Sequence, residues 1–382
     1  MSSFSSTSEH QVLVEVKRCA VILTLNRPDQ LNAASFYMVS RLRDLFTSYE
    51  SDPDVKLIIL KGKGKAFSVG GDVAAVVNKI KQGRWKLGSV IFRDVLFLNY
   101  LMATYSKPQV SILNGIVMGG GAGCSVHGRF RVATEKSKFA MPETALGLFP
   151  DSGSSYFLSR LPGFFGEYLG LTGASLDGAE MLACGLATHY VPSSKLAALE
   201  ADLCESGSSD AAVISSIIDS FGEQPKPKRE SAYNSRLDVI NRCFGQRTVE
   251  EIISCPEGEA GAETNAWMIF TIQSLKKASP TSLKITLRSI REGRLQGIRQ
   301  CIVREYRMAC HVLRGKLSKD FLEGCRAILL DKDRNPKWEP SRLDLVTKEM
   351  VDKYFERLDD EDWEELNLPP RSNLPLRATA KL

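Results

Sequence analysis

Twice in the first third of the chain an apolar β-rich run breaks into a cluster of glycines and resumes as helix-forming sequence. "VKLIILKG" leads to "AFSVGGD" (66–72), and "PQVSILNGIVM" leads to "GGGAGCSVHG". A strand that empties through glycines into a helix must fold that helix back over the sheet it has left, which favours an α/β layer architecture. The flanking sequence agrees. "VLVEVKR" alternates and "AVILTLN" is a second β-rich run, together reading as a hairpin. Ser35 caps a helix to Glu50 that places Phe36, Val39, Leu42, Leu45, Phe46 and Tyr49 on one face. A further helix covers about 88–105, and "RFRVATEKSKFAM" returns as strand.

The character changes after "SLDGAEMLACGLATHYVP". Ser and Gly followed by "GEQPKPKRE" mark 206–230 as a connecting segment between a core at 1–205 and a mainly helical region at 231–382. A net charge of only +5 gives no reason to expect nucleic acid. The nine cysteines include no C-x-x-C pair and read as free thiols, and four scattered histidines do not suggest a metal site. No apolar run reaches membrane-spanning length, and "MSSFSSTSEH" has no signal-peptide core. The final Ala380-Lys381-Leu382 resembles the small-basic-Leu tripeptide read by the peroxisomal import receptor. A peroxisomal address is therefore expected, with the cytoplasm as the alternative.

Chemistry concentrates in three places. Glycines at 70–71 and 119–121 free backbone N–H groups to face a ligand at strand-to-helix turns, although such turns also serve tight packing. Neither loop has Walker or dinucleotide spacing. The third place is "MPETALGLFPDSGSS", where Glu143 and Asp151, each preceded by proline, sit among apolar and small residues. Two acids held in an apolar pocket acquire separated pKa values, which suits one charged and one proton-carrying group. The competing reading makes them caps, Glu143 of a turn and Asp151 of the following helix. Cys124 reads as packing and His127 as structural, since no serine or cysteine partner with triad logic is evident. Lys332, Lys337 and Trp338 could meet a phosphorylated ligand, but read more simply as a solvated basic turn.

"ILTLNRPDQLNA", "AFSVGGD", "NGIVMGGGAG" and "FAMPETALGLFPDSG" follow one another as the signatures of the crotonase (enoyl-CoA hydratase/isomerase) superfamily do. "SVHGRFRVATEKSKFAMPETALGLFPD" and "KDFLEGCRAILLDKDRNPKWEP" further resemble its 3-hydroxyisobutyryl-CoA hydrolase branch. The resemblance implies an α/β spiral of ββα turns with a helical C-terminal region. It implies an oxyanion hole from the N–H groups of Gly71 and Gly120, with Glu143 and Asp151 catalytic. Gly70, Asp72, Val73, Ala74 and Val95 would contact the acyl-CoA. No metal and no cofactor is implied beyond the coenzyme A of the substrate. The state could be monomer or small homo-oligomer.

Hydratases of this superfamily carry a glutamate where this chain has Gly123, so hydrolysis is favoured over hydration. Three departures stand out: "DSGSS" after the second acid, Val69 within "FSVGGD", and Val95 where a glutamate is expected. The adjacent Asp94 points about 100° away around a helix. The expectation is a hydrolase of a short 3-hydroxyacyl-CoA, plausibly that of valine catabolism. The alternatives are another crotonase activity or a weakly catalytic CoA-binding paralogue.

Overall fold

The computed structural model describes residues 9–226, 231–255 and 262–374. Its core is two sheets threaded together. One has the order β1 (Val12–Lys17), β2 (Ala20–Leu25), β3 (Leu57–Gly62), β5 (Gln109–Leu113), β7 (Phe130–Ala133), β10 (His189–Tyr190). The other runs β4 (Ala66–Ser68), β6 (Ile116–Met118), β8 (Lys138–Ala140), β9 (Leu176–Asp177). β1 and β2 form the expected antiparallel hairpin, with Val12 opposite Leu25. Beyond it, β2, β3, β5, β7 and β10 pair in parallel, as do β4, β6 and β8.

The two runs read as single strands each divide. "PQVSILNGIVM" turns at Asn114-Gly115, so β5 joins one sheet and β6 the other, and "RFRVATEKSKFAM" splits likewise into β7 and β8. Each winding therefore lays one strand in each sheet before its helix, which is the ββα spiral. The corners are tied to one another: Ser137 Oγ donates to the Leu113 carbonyl at 2.5 Å, and Lys138 N–H to that of Gly115 at 3.0 Å.

The helices follow from their caps and stripes. α1 (Phe36–Ser51) begins at Ser35, whose hydroxyl accepts from Met38 N–H at 3.1 Å. Its buried face is Met38, Val39, Leu42, Leu45 and Phe46; Phe36, expected on that face, is half exposed because it occupies the first turn, outside the sheet's reach. α2 (Val73–Lys81), α3 (Trp85–Ala103) and α4 (Gly120–Val126) complete the windings. Within 206–230, read as a connection, Ala211–Phe221 is a helix. Its Ile214 and Ile218, one turn apart, pack with Ile22, Ile59, Val110 and Val132 on the outer face of the larger sheet. That cover lets β2 and β3 be buried on both faces, as parallel strands require.

The described part of the region from Ser231 onward is mainly helical, as expected, and packs onto the core. Helix Ile298–Arg314 lies along α3. Beyond the end of helix Pro280–Gly293, Arg294 Nη2 meets both oxygens of fully buried Glu167 at 2.8 Å. No described helix is long and apolar enough to cross a membrane. Replacing Arg294 by Leu strands the Glu167 charge and should cost about 3–5 kcal/mol. Urea denaturation followed by circular dichroism measures that loss.

Candidate active site

The two glycine loops are brought edge to edge. Gly70 and Gly119 take left-handed backbone, φ 99° and 51°, which residues with a Cβ rarely adopt. The loops also approach closely: a Cβ on Gly70 would lie 2.9 Å from the Gly120 nitrogen, and one on Gly120 3.4 Å from the Gly71 nitrogen. Within the second loop, Gly119 N–H is bonded to the Ala140 carbonyl, and Ala122 N–H to that of Gly119. Among the described residues, neither Gly71 N–H nor Gly120 N–H has a protein acceptor. Two backbone donors are thus left side by side on the wall of one cavity.

That cavity, about 100 Å³, is lined by Gly70, Gly71, Asp72, Val73, Val95, Gly120, Glu143 and Asp151, all named from the sequence. Ala74 does not line it: it lies exposed in the first turn of α2. Asp72 lines the cavity while its carboxylate caps α2 through Ala75 N–H at 3.2 Å and pairs with Arg27 at 3.3 Å. Val95 adds an apolar wall, and Val69 stands beside the first loop. Asp94 faces elsewhere, paired with Arg43 at 3.4 Å over a separate groove, as the helical offset predicted. Lys332, Lys337 and Trp338 take no part in the lining, and Trp338 Nε1–H is spent on the Lys277 carbonyl.

Glu143 follows β8 by way of Pro142 and opens a single 3₁₀ turn, Glu143–Leu146. Its carboxylate is buried, with Oε1 2.8 Å from where a Gly119 Cβ would sit and Oε2 without a hydrogen-bond partner. Burial, and then the charge of Asp151, push its pKa up to about 8. Asp151 is buried too, and burial raises it to about 6 against the opposing hydrogen bond that Ser152 Oγ donates to Oδ1 at 3.1 Å. Neither acid is a simple cap. The Ser35, Asp72 and Asp177 caps satisfy helix donors, whereas no helix N–H bonds to either side chain here.

The departures have local reasons. Ser152 serves Asp151, Ser154 Oγ donates to the Pro150 carbonyl, and Ser155 bonds to Glu305 through both Oγ and N–H. His127 Nε2 meets the Ser152 carbonyl at 2.9 Å, and burial pulls its pKa down to about 4, so a neutral ring donates there. Burial raises the Cys124 thiol to about 12, leaving no thiolate at neutral pH. A Cβ on Gly123 would stand 2.5 Å from Ser152 Cβ and 3.0 Å from Asn99 Nδ2. A glutamate at 123 therefore has no room. Gly123→Ala should cost about 1–3 kcal/mol through this overpacking, read as a lowered urea midpoint.

Sequence reasoning missed several wall residues. Ile91 and Phe92 come from α3, Leu146 and Leu148 from the acid segment, and Phe321 from helix Asp320–Cys325 in the C-terminal region. The α3 pair could have been found from their place on the same face as Val95. Phe321 carries no local signal, since it lies far away in the chain. Glu305, fully buried beside the acid segment, was also missed.

Comparisons with known proteins give the family. The enoyl-CoA hydratase/isomerase family model matches residues 20–355. The chain is 67% identical over 375 residues to 3-hydroxyisobutyryl-CoA hydrolase 1 of Arabidopsis thaliana, covering 98% of each. It is 44% identical to the small ribosomal subunit protein mS47 of that plant, covering 98% of this chain and 92% of the other. Among solved structures, a carnitinyl-CoA dehydratase from Mycobacterium thermoresistibile superposes with a TM-score of 0.84 at 34% identity, over 94% of this chain and 98% of that one. Hydrolase, ribosomal protein and dehydratase share one scaffold, and on fold, motifs and coverage alike this chain belongs to the crotonase family of enoyl-CoA hydratases and isomerases.

Proposed function

We propose that this protein hydrolyses the thioester of a short 3-hydroxyacyl-CoA, foremost 3-hydroxyisobutyryl-CoA, to the free hydroxy acid and CoA. The observation that carries the reading is the buried Glu143 carboxylate in the same small cavity as the two unpartnered N–H groups of Gly71 and Gly120. A thioester carbonyl becomes an oxyanion under attack, and two fixed donors in a dry site stabilise it; losing one typically costs about 3 kcal/mol of barrier.

Glu143 has two routes from this position. As nucleophile, a carboxylate oxygen bonds the carbonyl carbon, the C–S bond breaks, and the sulfur leaves with the proton of Asp151. Water then hydrolyses the mixed anhydride, returning its proton to Asp151. As general base, Glu143 takes the proton from water that attacks directly. In both, Asp151 is the group that carries or orients a proton, and no metal or redox cofactor enters the scheme. The lining of Val76, Ile91, Phe92, Val95 and Phe321 in about 100 Å³ suits an acyl group of a few carbons. The 67% identical relative is named for this substrate, which supports a place in valine catabolism. Gly123 argues against a hydratase. Val95 favours the second reading, a weakly catalytic CoA-binding paralogue, and that reading predicts CoA binding without thiol release.

The test is thiol release from 3-hydroxyisobutyryl-CoA. Glu143→Gln should lose at least about a thousandfold in kcat, and release that persists unchanged in the variant removes Glu143 from the mechanism. The nucleophilic route needs one proton on the pair, on Asp151 with Glu143 ionised. With the two acids raised to about 6 and about 8, wild-type kcat/KM should rise up to about pH 6, hold between 6 and 8, and fall roughly tenfold per unit above 8. A general-base route in which Asp151 only orients the water instead keeps rising to about pH 8 and then levels off.

We also propose that the protein enters peroxisomes through Ala380-Lys381-Leu382, which lies outside the described residues. A fluorescent protein fused ahead of the full chain should mark peroxisomes and become cytosolic when these three residues are removed. An unchanged distribution would sink the proposal.

A further inference from the structure

A third buried carboxylate stands beside the two acids, and the scheme above does not use it. Glu305, on helix Ile298–Arg314, is fully buried and does not line the cavity. Its hydrogen bonds all come from one short stretch: Gly153 N–H donates to Oε2 at 2.6 Å, Ser155 N–H to Oε1 at 2.9 Å, and Ser155 Oγ–H to Oε1 at 2.6 Å. Among the described residues it makes no ion pair. A carboxylate taken out of water with no cation is retained only where its oxygens are fully met. Three donors on two oxygens meet that demand, and two of those oxygen contacts are short, as charge-assisted bonds are.

The stretch it grips follows directly on Asp151. Ser152 holds left-handed backbone, φ 61°, and Gly153 follows at 79°. A residue with a Cβ keeps such a conformation only when its surroundings over-determine it. Here they do so from two sides. His127 Nε2–H holds the Ser152 carbonyl, and Glu305 holds the N–H of the next residue. The Ser152 hydroxyl is in turn the one bonded to Asp151 Oδ1. The strained residue that aims the acid is therefore pinned between α4 and the C-terminal helices, across 152 residues of sequence.

We infer that Glu305 is the positioning residue for Asp151: through residues 152–155 it holds that acid's carboxyl in the cavity, without touching substrate. The kinetic half of the test rests on the hydrolase reading. Glu305→Gln keeps the volume and turns one acceptor into a donor, so N–H is set against N–H at Gly153 or at Ser155.

With 3-hydroxyisobutyryl-CoA, kcat should fall about tenfold to a hundredfold while KM stays within about twofold. The double variant with Asp151→Asn should be no slower than Asp151→Asn alone, since both losses pass through one group. Losses that multiply, or a change confined to KM, overturn the positioning role. If the wild type releases no thiol, the hydrolase reading fails by itself. Glu305 is then judged by the crystal structure of Glu305→Gln: a displaced Asp151 carboxyl supports the inference, and an unmoved one overturns it. If Glu305→Gln does not fold, Ser155→Ala removes only the hydroxyl bond and should lower kcat less, about threefold to tenfold, at constant KM. An unchanged kcat in that variant overturns the inference.

Discussion

A buried carboxyl with one oxygen unpaired, that of Glu143, is the constraint around which much of the site is arranged. Glu143 can lie against the second glycine loop only because Gly119 has no side chain, and Gly70 can approach Gly120 only for the same reason. The close approach leaves two N–H groups without acceptors next to an acid that burial keeps protonated at neutral pH. The unpaired, buried carboxyl oxygen loses hydrogen-bonding energy that the fold recovers elsewhere, while the N–H of the exposed Gly71 stays open to a ligand. Such a deficit is what a site built for a transient anion looks like before the anion forms.

The spiral provides the geometry. Each winding contributes a strand to both sheets, and β4, β6 and β8 run in parallel, so their C-terminal ends lie together. The first glycine loop, the second glycine loop and the acid segment are the continuations of those three strands. Ligand groups gathered beyond the carboxyl ends of parallel strands are a general outcome of α/β architecture. The helical C-terminal region then closes the cavity with Phe321 and secures the acid segment through Glu305. It is part of the site as well as a cover for the core.

Family membership alone does not select an activity here, since relatives of this scaffold carry the names of a hydrolase, a dehydratase and a ribosomal protein. The discrimination comes from single positions. Gly123 is locked by the Ser152 side chain on one side and Asn99 on the other, so the absence of a hydratase-type acid is built into the packing. The three serines that depart from the family pattern are likewise each engaged, two of them with buried carboxylates.

The strand–glycine–helix recurrence, the hairpin, the two glycine loops and the acid segment were legible because each rests on local signals: periodicity, glycine at turns, proline before an acid. The grouping of Gly71, Gly120, Glu143 and Asp151 in one site came from the family resemblance. Ala211–Phe221 was read as a connection because serine and glycine flank it, although Ile214 and Ile218 one turn apart carried the helical stripe. The sequence by itself determined which residues could approach a ligand through their backbone and which acids lie in apolar surroundings, since both are properties of short segments. Tertiary structure alone decided that strands 114–115 and 134–137 turn between two sheets, that Phe321 walls the cavity, and that Glu305 grips the segment behind Asp151. Those contacts join residues more than a hundred positions apart or depend on which sheet a strand enters, and no periodicity or motif within a window records them.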